Sequence, residues 1–278
     1  MKKALIILSL IFLSCEEIVI IELPDAQNLF VIEGWLSNYN ETQQIRVTQS
    51  NGFSDPQPIV EVTNASVVVQ SRIGDSYIFT HTSNGFYHSI DQFQGEIGME
   101  YRVRVRLNDG EEIRSEWERM KDLVELTSLR VNSFVENDPD NPNEEITVFY
   151  PKISARDPEN VNNFYRWRFY KNRTPHIEPE SITIEDDRFF DGNFIPNNFQ
   201  QFGYDEGDEM IVEFQSISKE AFDYLKLLKT QITSLGTTSG TTPAFVSGNL
   251  RYLSDEITDQ VLGYFGTVTI SADTTTVN

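Results

Sequence analysis

The sequence predicts a mainly β fold, in which an N-terminal immunoglobulin-like β-sandwich precedes a second β-rich domain with one packed helix. Phenylalanine and tyrosine are frequent in the 278-residue chain, with 19 and 11 residues, and aromatic side chains pack well on pleated strands. Short alternating runs recur between turn-forming residues, which is typical of sandwiches. A single cysteine cannot form an internal disulfide, so hydrophobic cores must stabilise both domains.

Residues 1–14 have the composition of a secretory signal, because two lysines precede an uncharged apolar run. The run is shorter than the roughly 20 residues of a membrane-spanning helix, so we expect it to be removed after export. Its end, Phe12-Leu13-Ser14-Cys15, resembles a bacterial lipobox. The resemblance predicts that Cys15 carries lipid and begins the mature protein, with residues 15–28 as a tether. The alternative is an ordinary secretory signal with a chance cysteine.

The acids that follow the cysteine, Glu16 and Glu17, resemble the surface-export signal of Bacteroidota lipoproteins. They predict a lipid-anchored protein on the outer membrane that faces the cell exterior. The formal net charge of −21 would repel phosphate backbones. We therefore expect no nucleic acid among its partners.

Alternating and β-branched runs in residues 29–120 predict the strands of the sandwich. The strongest turn signal is Asn84-Gly85 between two aromatic runs, which predicts a type I′ hairpin. Besides the two hairpin strands, the predicted strands are residues 29–36, 46–50, 65–72, 99–107 and 111–117. A first edge strand at residues 18–23 is the alternative to a tether there.

A two-residue loop at Asn84-Gly85 would pair Ser83 with Phe86 and place His81 opposite His88. Rings at such positions could contact one metal ion, because cross-strand Cβ atoms lie about 4.5–5.5 Å apart. A catalytic zinc site usually has three protein ligands, which makes the two histidines weak metal candidates. The alternative is two polar rings at the wet end of an apolar face.

The second domain, residues 121–278, contains the one predicted helix, residues 219–235. Ser218 is its expected N-cap, and an apolar stripe that includes Phe222 and Leu225 should pack on the second sheet. The predicted strands of this domain are residues 126–135, 146–154, 163–172, 209–217 and 262–271.

One segment of this domain, residues 189–204, is rich in aromatic residues among Gly, Asn and Pro. Such a segment needs either a core to enter or a ligand or partner to contact, and both interpretations stay open. The candidate contact residues are Phe189, Phe190, Phe194, Phe199, Phe202 and Tyr204.

The motifs of catalysis are missing from the sequence. Neither a phosphate-binding glycine motif nor a GxSxG nucleophile motif occurs. Asp187 and Asp191 precede Gly192 as in a calcium loop, but Phe189 occupies a ligand position and breaks the EF-hand pattern. A loose calcium site and a solvated acidic loop are the alternatives there. We expect a protein that is not an enzyme and that has no cofactor.

Ordered segments of the chain resemble the Bacteroidota outer-membrane lipoprotein family known as domain of unknown function 4249. The resemblance implies a surface lipoprotein that serves as an accessory binding or interaction subunit of a TonB-dependent receptor complex, since family genes often neighbour such receptors. A stand-alone carbohydrate- or peptide-binding lipoprotein is the alternative, and a hydrolase is a weaker one. Besides the lipobox, the matching segments are residues 31–36, 157–170, 189–196, 206–231, 247–250 and 262–271.

Overall fold

A computed structural model describes residues 28–50, 59–178, 181–195, 199–234 and 246–278. The predictions for the signal sequence, for Cys15 and for an edge strand at residues 18–23 lie outside these ranges. Within them, strands account for most of the ordered structure and there is one α-helix. This confirms the predicted fold class, mainly β with one packed helix.

The strands of the N-terminal half pair mostly in antiparallel fashion, and their inward side chains meet in one hydrophobic core. Alternate residues of each strand are buried, as the alternating sequence predicts; Ile32, Val47 and Val103 are fully buried examples. The strands are β1 (Phe30–Ser37), β2 (Gln44–Gln49), β3 (Val60–Glu61), β4 (Ser66–Ser71), β5 (Ser76–Ser83), β6 (Phe86–Ser89), β7 (Glu100–Arg106), β8 (Glu112–Ser115) and β9 (Glu118–Arg119).

The C-terminal half has a second core, rich in aromatic residues, between a sheet and a long hairpin. The sheet buries Tyr165, Trp167 and Phe169 on one face, and one neighbouring strand adds Val212 and Phe214. The elements are β10 (Leu126–Asn137), β11 (Glu145–Ala155), β12 (Phe164–Lys171), β13 (Thr174–Pro175), β14 (Thr183–Asp186), β15 (Glu209–Ser216), α1 (Lys219–Ser234), β16 (Leu250–Tyr252) and β17 (Leu262–Thr276).

The last strand, β17, belongs to both halves. Its first part pairs in parallel with β1, from Val31 opposite Leu262 to Ser37 opposite Val268. Its second part pairs antiparallel with β15, beginning at Ser216 opposite Thr269. In addition, β16 pairs with β8. Strand pairing therefore crosses the boundary that the sequence suggests near residue 120.

The helix begins where the sequence predicts. The backbone N–H of Ala221 donates to Oγ of Ser218 at 3.0 Å, which makes Ser218 the N-cap. Phe222 and Leu225 are buried against Tyr264 and its neighbours on β17, so the first part of the apolar stripe packs on the sheet as expected.

A buried carboxylate joins the two halves near this N-cap. Glu118 of β9 is 3% exposed and accepts hydrogen bonds from Ser218 Oγ at 2.7 Å, from Asn249 Nδ2 at 3.3 Å and from the Tyr264 hydroxyl. Burial raises the pKa of Glu118, and the three donors oppose that rise. One side chain thus links β9 to the start of α1 and to β17.

We expect Glu118→Ala to lower the free energy of unfolding by about 3 kcal/mol, because it leaves buried donors on Ser218 and Tyr264 without an acceptor. Urea unfolding measures this loss, and Glu118→Gln is the matched control because it preserves the shape and one acceptor oxygen. Equal stability of the Ala and Gln variants would contradict the linking role.

The raised pKa of Glu118 also predicts a dependence on pH. Above the unfolded pKa of a glutamate, about 4.3, the folded protein retains a proton that the unfolded chain has released. The wild type should therefore lose stability relative to Glu118→Gln as the pH rises through the folded pKa. The urea midpoints of both proteins, measured across this pH range, test the direction of the change in stability. Midpoints that change in parallel with pH in the two proteins would refute the prediction.

Candidate functional site

Four of the six aromatic residues that the sequence predicts as contacts at residues 189–204 lie in the C-terminal core. The ring of Phe202 stacks on that of Phe169 at a centroid distance of 4.1 Å, and the Tyr204 hydroxyl donates to the carbonyl of Tyr170 at 3.2 Å. Because their rings are buried, four residues are removed from the predicted contact set: Phe190, Phe199, Phe202 and Tyr204.

The two remaining residues of that set are exposed. Phe189 is 91% exposed and Phe194 is 67% exposed, on either side of the buried Phe190. Phe189 ends a short 3₁₀ helix, Asp187–Phe189, and Phe194 forms an isolated β-bridge with Arg156. Both rings therefore extend from backbone that is hydrogen-bonded in place. We call residues 187–195, which display them, the aromatic loop.

A buried aspartate holds the aromatic loop against the body of the protein. Asp157 is 2% exposed and accepts hydrogen bonds from the Gly192 N–H at 3.0 Å and from the Tyr165 hydroxyl. Its own N–H donates to the carbonyl of Asn193 at 2.9 Å. Burial raises the pKa of Asp157, the hydrogen bonds from Tyr165 and Gly192 oppose this, and the nearby carboxylate of Asp187 raises it further.

The carboxylates of Asp157, Asp187 and Asp191 can place one oxygen each within 4.8 Å of one another. The acidic cluster contains the two residues of the predicted calcium loop and adds Asp157, which sequence reasoning missed. Oxygen donors of this kind suit a hard cation, but calcium takes six to eight of them. Each carboxylate already accepts a backbone N–H, from Gly192, Asn163 and Asn160 respectively. These bonds explain the cluster as a clamp between two turns.

The predicted histidine pair does not form, because the hairpin contains a β-bulge. Asn84 and Gly85 have the positive φ angles, 53° and 75°, of the expected turn, and Ser83 faces Phe86 as expected. The register then shifts between His81 and Ser83, so His81 faces Tyr87 and His88 faces Thr80.

The two rings therefore lie on opposite faces of the hairpin. Thr82 is the extra residue of the bulge. The Thr82 hydroxyl lies 2.9 Å from Nδ1 of His88, within hydrogen-bond distance. On the other face, Nε2 of His81 lies 3.4 Å from a carboxylate oxygen of Glu61. The expectation that His81 lies opposite His88 is therefore wrong, and this register does not bring the two weak metal candidates together.

These features define a β-rich protein that displays two aromatic rings on a clamped loop. The chain belongs to the family described as domain of unknown function (DUF4249), whose model matches residues 16–274. The chain has no match among curated proteins. In the part of the chain that the structure describes, no helix is long and apolar enough to cross a membrane.

We expect Asp157→Ala to release the aromatic loop. The change removes the acceptor of the Gly192 N–H and of the Tyr165 hydroxyl, and should cost about 2 kcal/mol of unfolding free energy. Amide hydrogen exchange at Gly192 should accelerate. Asp191→Ala is the control, because Asp191 is exposed and its loss leaves both bonds to Asp157 in place. Unchanged exchange at Gly192 in Asp157→Ala would contradict the clamp.

Proposed function

We propose that the protein is a surface-anchored outer-membrane lipoprotein that acts as an accessory binding or interaction subunit of a TonB-dependent receptor complex, and that it is not an enzyme. The observation that carries this proposal is the exposure of Phe189 and Phe194 on the aromatic loop. Exposed phenylalanine is costly, since its burial contributes about 1.5–3 kcal/mol. A partner surface that covers both rings would recover that free energy.

The clamped backbone adds to this argument. Binding normally requires side chains and loops to lose conformational freedom, and a loop that is already ordered avoids much of that cost. The hydrogen bonds from Gly192 to Asp157 and from Ile195 to Ala155 fix both ends of the turn that presents the rings. A preorganised aromatic anchor of this kind favours recognition of a macromolecule.

The proposed location depends on the N-terminus. Phe12-Leu13-Ser14-Cys15 resembles a lipobox, and the match to the family model begins at the next residue, Glu16. Each buried methylene of an acyl chain contributes about 0.8 kcal/mol, so a multiply acylated Cys15 would anchor the protein firmly. Glu16 and Glu17 would then direct it to the outer face of the outer membrane.

The lipid anchor predicts a change in fractionation. In the native protein, mass spectrometry of the N-terminal peptide should find acyl chains on Cys15, and the protein should sediment with outer membranes. Cys15→Ser should move it to the soluble fraction, since the acceptor sulfur is gone. An unmodified thiol in the native protein would refute the anchor.

The receptor partnership predicts co-purification. A tagged, lipid-anchored protein isolated from its native membranes in mild detergent should carry a large TonB-dependent barrel, identified by mass spectrometry. Phe189→Ser together with Phe194→Ser should abolish the co-purification, because the double change removes the exposed rings without creating a cavity in the core. Ile73→Ser with Ile90→Ser is the matched control, since these side chains are 71% and 61% exposed elsewhere.

Recovery of the wild type alone would argue against the receptor partnership. If the wild type is alone but binds glycans or peptides in calorimetry, and the double phenylalanine variant does not, the stand-alone binding protein is favoured. Equal loss of the barrel in the isoleucine control would show that the aromatic loop is not the contact.

A further inference from the structure

The sheet that forms the aromatic core has a second face with a different composition. Along β12, Tyr165, Trp167 and Phe169 enter the core, so Arg166 and Arg168 lie on the opposite face. That face continues across β15 and β17 to β1. The helix α1 covers part of it.

Arg166 lies beside a row of stacked aromatic rings. Its guanidinium carbon is 4.8 Å from the ring centroid of Trp35, and this ring stacks on that of Tyr264 at 5.7 Å. Tyr224 of α1 stacks on Tyr264 in turn, at 4.8 Å. The row requires Gly266, because a Cβ there would lie 2.5 Å from the indole of Trp35. The one ring beside the guanidinium, that of Trp35, is thus held in place by rings from two other elements and by one glycine.

Arg166 has neither an ion-pair partner nor a hydrogen-bond acceptor among the residues that the structure describes. Acidic residues are abundant in this chain, with 43 Asp and Glu against 22 Lys and Arg. Other arginines form ion pairs with them. Nη2 of Arg104 lies 2.7 Å from a carboxylate oxygen of Glu112. On the same sheet face as Arg166, Nη1 of Arg168 lies 3.9 Å from a carboxylate oxygen of Glu213. Burial of its side chain, together with repulsion from Arg168, lowers the pKa of Arg166 to about 10.

Gln215, the residue next to Arg166 on the neighbouring strand, has a side-chain oxygen that lacks a hydrogen-bond donor among the described residues. Gln215 is directly opposite Arg166 in the register of β12 and β15, and it is 2% exposed. Its Nε2 donates to Glu213 at 2.8 Å, but its Oε1 is buried with no hydrogen-bond partner in the described structure. Buried polar groups are almost always paired, and each exception calls for an explanation.

We propose that Arg166 and Gln215 form a binding site for a ligand that carries a carboxylate next to a hydroxyl or N–H group. The carboxylate would accept two N–H bonds from the guanidinium, and the neighbouring group would donate to Oε1 of Gln215. The ring of Trp35 lies 4.8 Å from the guanidinium carbon and shields one side of the group from water, which strengthens these bonds. Sugar acids are one class with both groups, since their carboxylate is attached to a polyhydroxylated carbon chain. The site is independent of the aromatic loop.

A purely structural role for Arg166 makes a different prediction. If the cation–π contact with Trp35 is its purpose, Arg166→Met should lower stability, since such contacts contribute roughly 0.5–2 kcal/mol. If Arg166 is kept for a ligand, the unpaired guanidinium is a burden in the free protein. The Met variant, of similar length and without charge, should then melt at the same temperature as the wild type or higher.

The test measures melting temperature and calorimetric affinity with galacturonate, and with galactose as its neutral counterpart. The wild type should be stabilised by galacturonate and not by galactose. Arg166→Met should lose this response, with affinity weakened about tenfold or more, while Arg166→Lys retains part of it. Arg46→Met is the matched control, because Arg46 also lies over a ring, that of Phe86 at 5.2 Å, and it should respond as the wild type does.

Three results would overturn the proposal. The first is an equal effect of galactose and galacturonate on the wild type, or no effect of either. The second is a normal galacturonate response in Arg166→Met. The third is stabilisation by inorganic phosphate alone, which would assign the guanidinium to oxyanions without the neighbouring donor that Gln215 requires.

Discussion

The shared strand β17 is the constraint on which the rest of the structure depends. Its first part is the parallel neighbour of β1, and its second part is the antiparallel neighbour of β15. Neither half can therefore complete its sheet without the end of the chain. The buried network around Glu118 lies where this strand passes between the halves, since Tyr264 of β17 and Ser218 at the helix start both donate to it. Loss of that network would disturb both cores together.

The packing of the aromatic core explains how one short segment both fills a core and presents a surface. The aromatic core needs rings from outside its sheet, and Phe190, Phe199 and Phe202 supply them. A chain that enters and leaves a core so often must turn sharply between the entries. Phe189 and Phe194 lie at such turns, and Asp157 satisfies the N–H of Gly192 that the turn leaves open. The exposed rings are therefore fixed by the residues that bury their neighbours.

The parts of the fold that could be predicted from sequence are the local ones. The Asn84-Gly85 turn, the N-cap at Ser218 and the alternation of β12 each depend on a few adjacent residues, and all three are present. The bulge at Thr82 reverses the face of His81 through a single extra residue, which periodicity cannot register. The parallel pairing of β1 with β17 and the clamp at Asp157 join residues far apart in sequence. No local pattern identifies those partners.

The lack of an ion-pair partner for Arg166 among the described residues also depends on residues far apart in sequence. Alternation on β12 fixes only that an arginine faces away from the aromatic core, and a surface arginine in so acidic a chain would meet a carboxylate readily. The ring of Trp35, from a distant segment, lies over the guanidinium instead, and the nearby carboxylate of Glu213 is bound by Gln215 and lies beside Arg168. Arg166 thus retains its charge without an ion pair among the described residues, and the more distant charge of Glu213 attracts it. A charge retained at that cost is consistent with a counter-ion that the ligand brings.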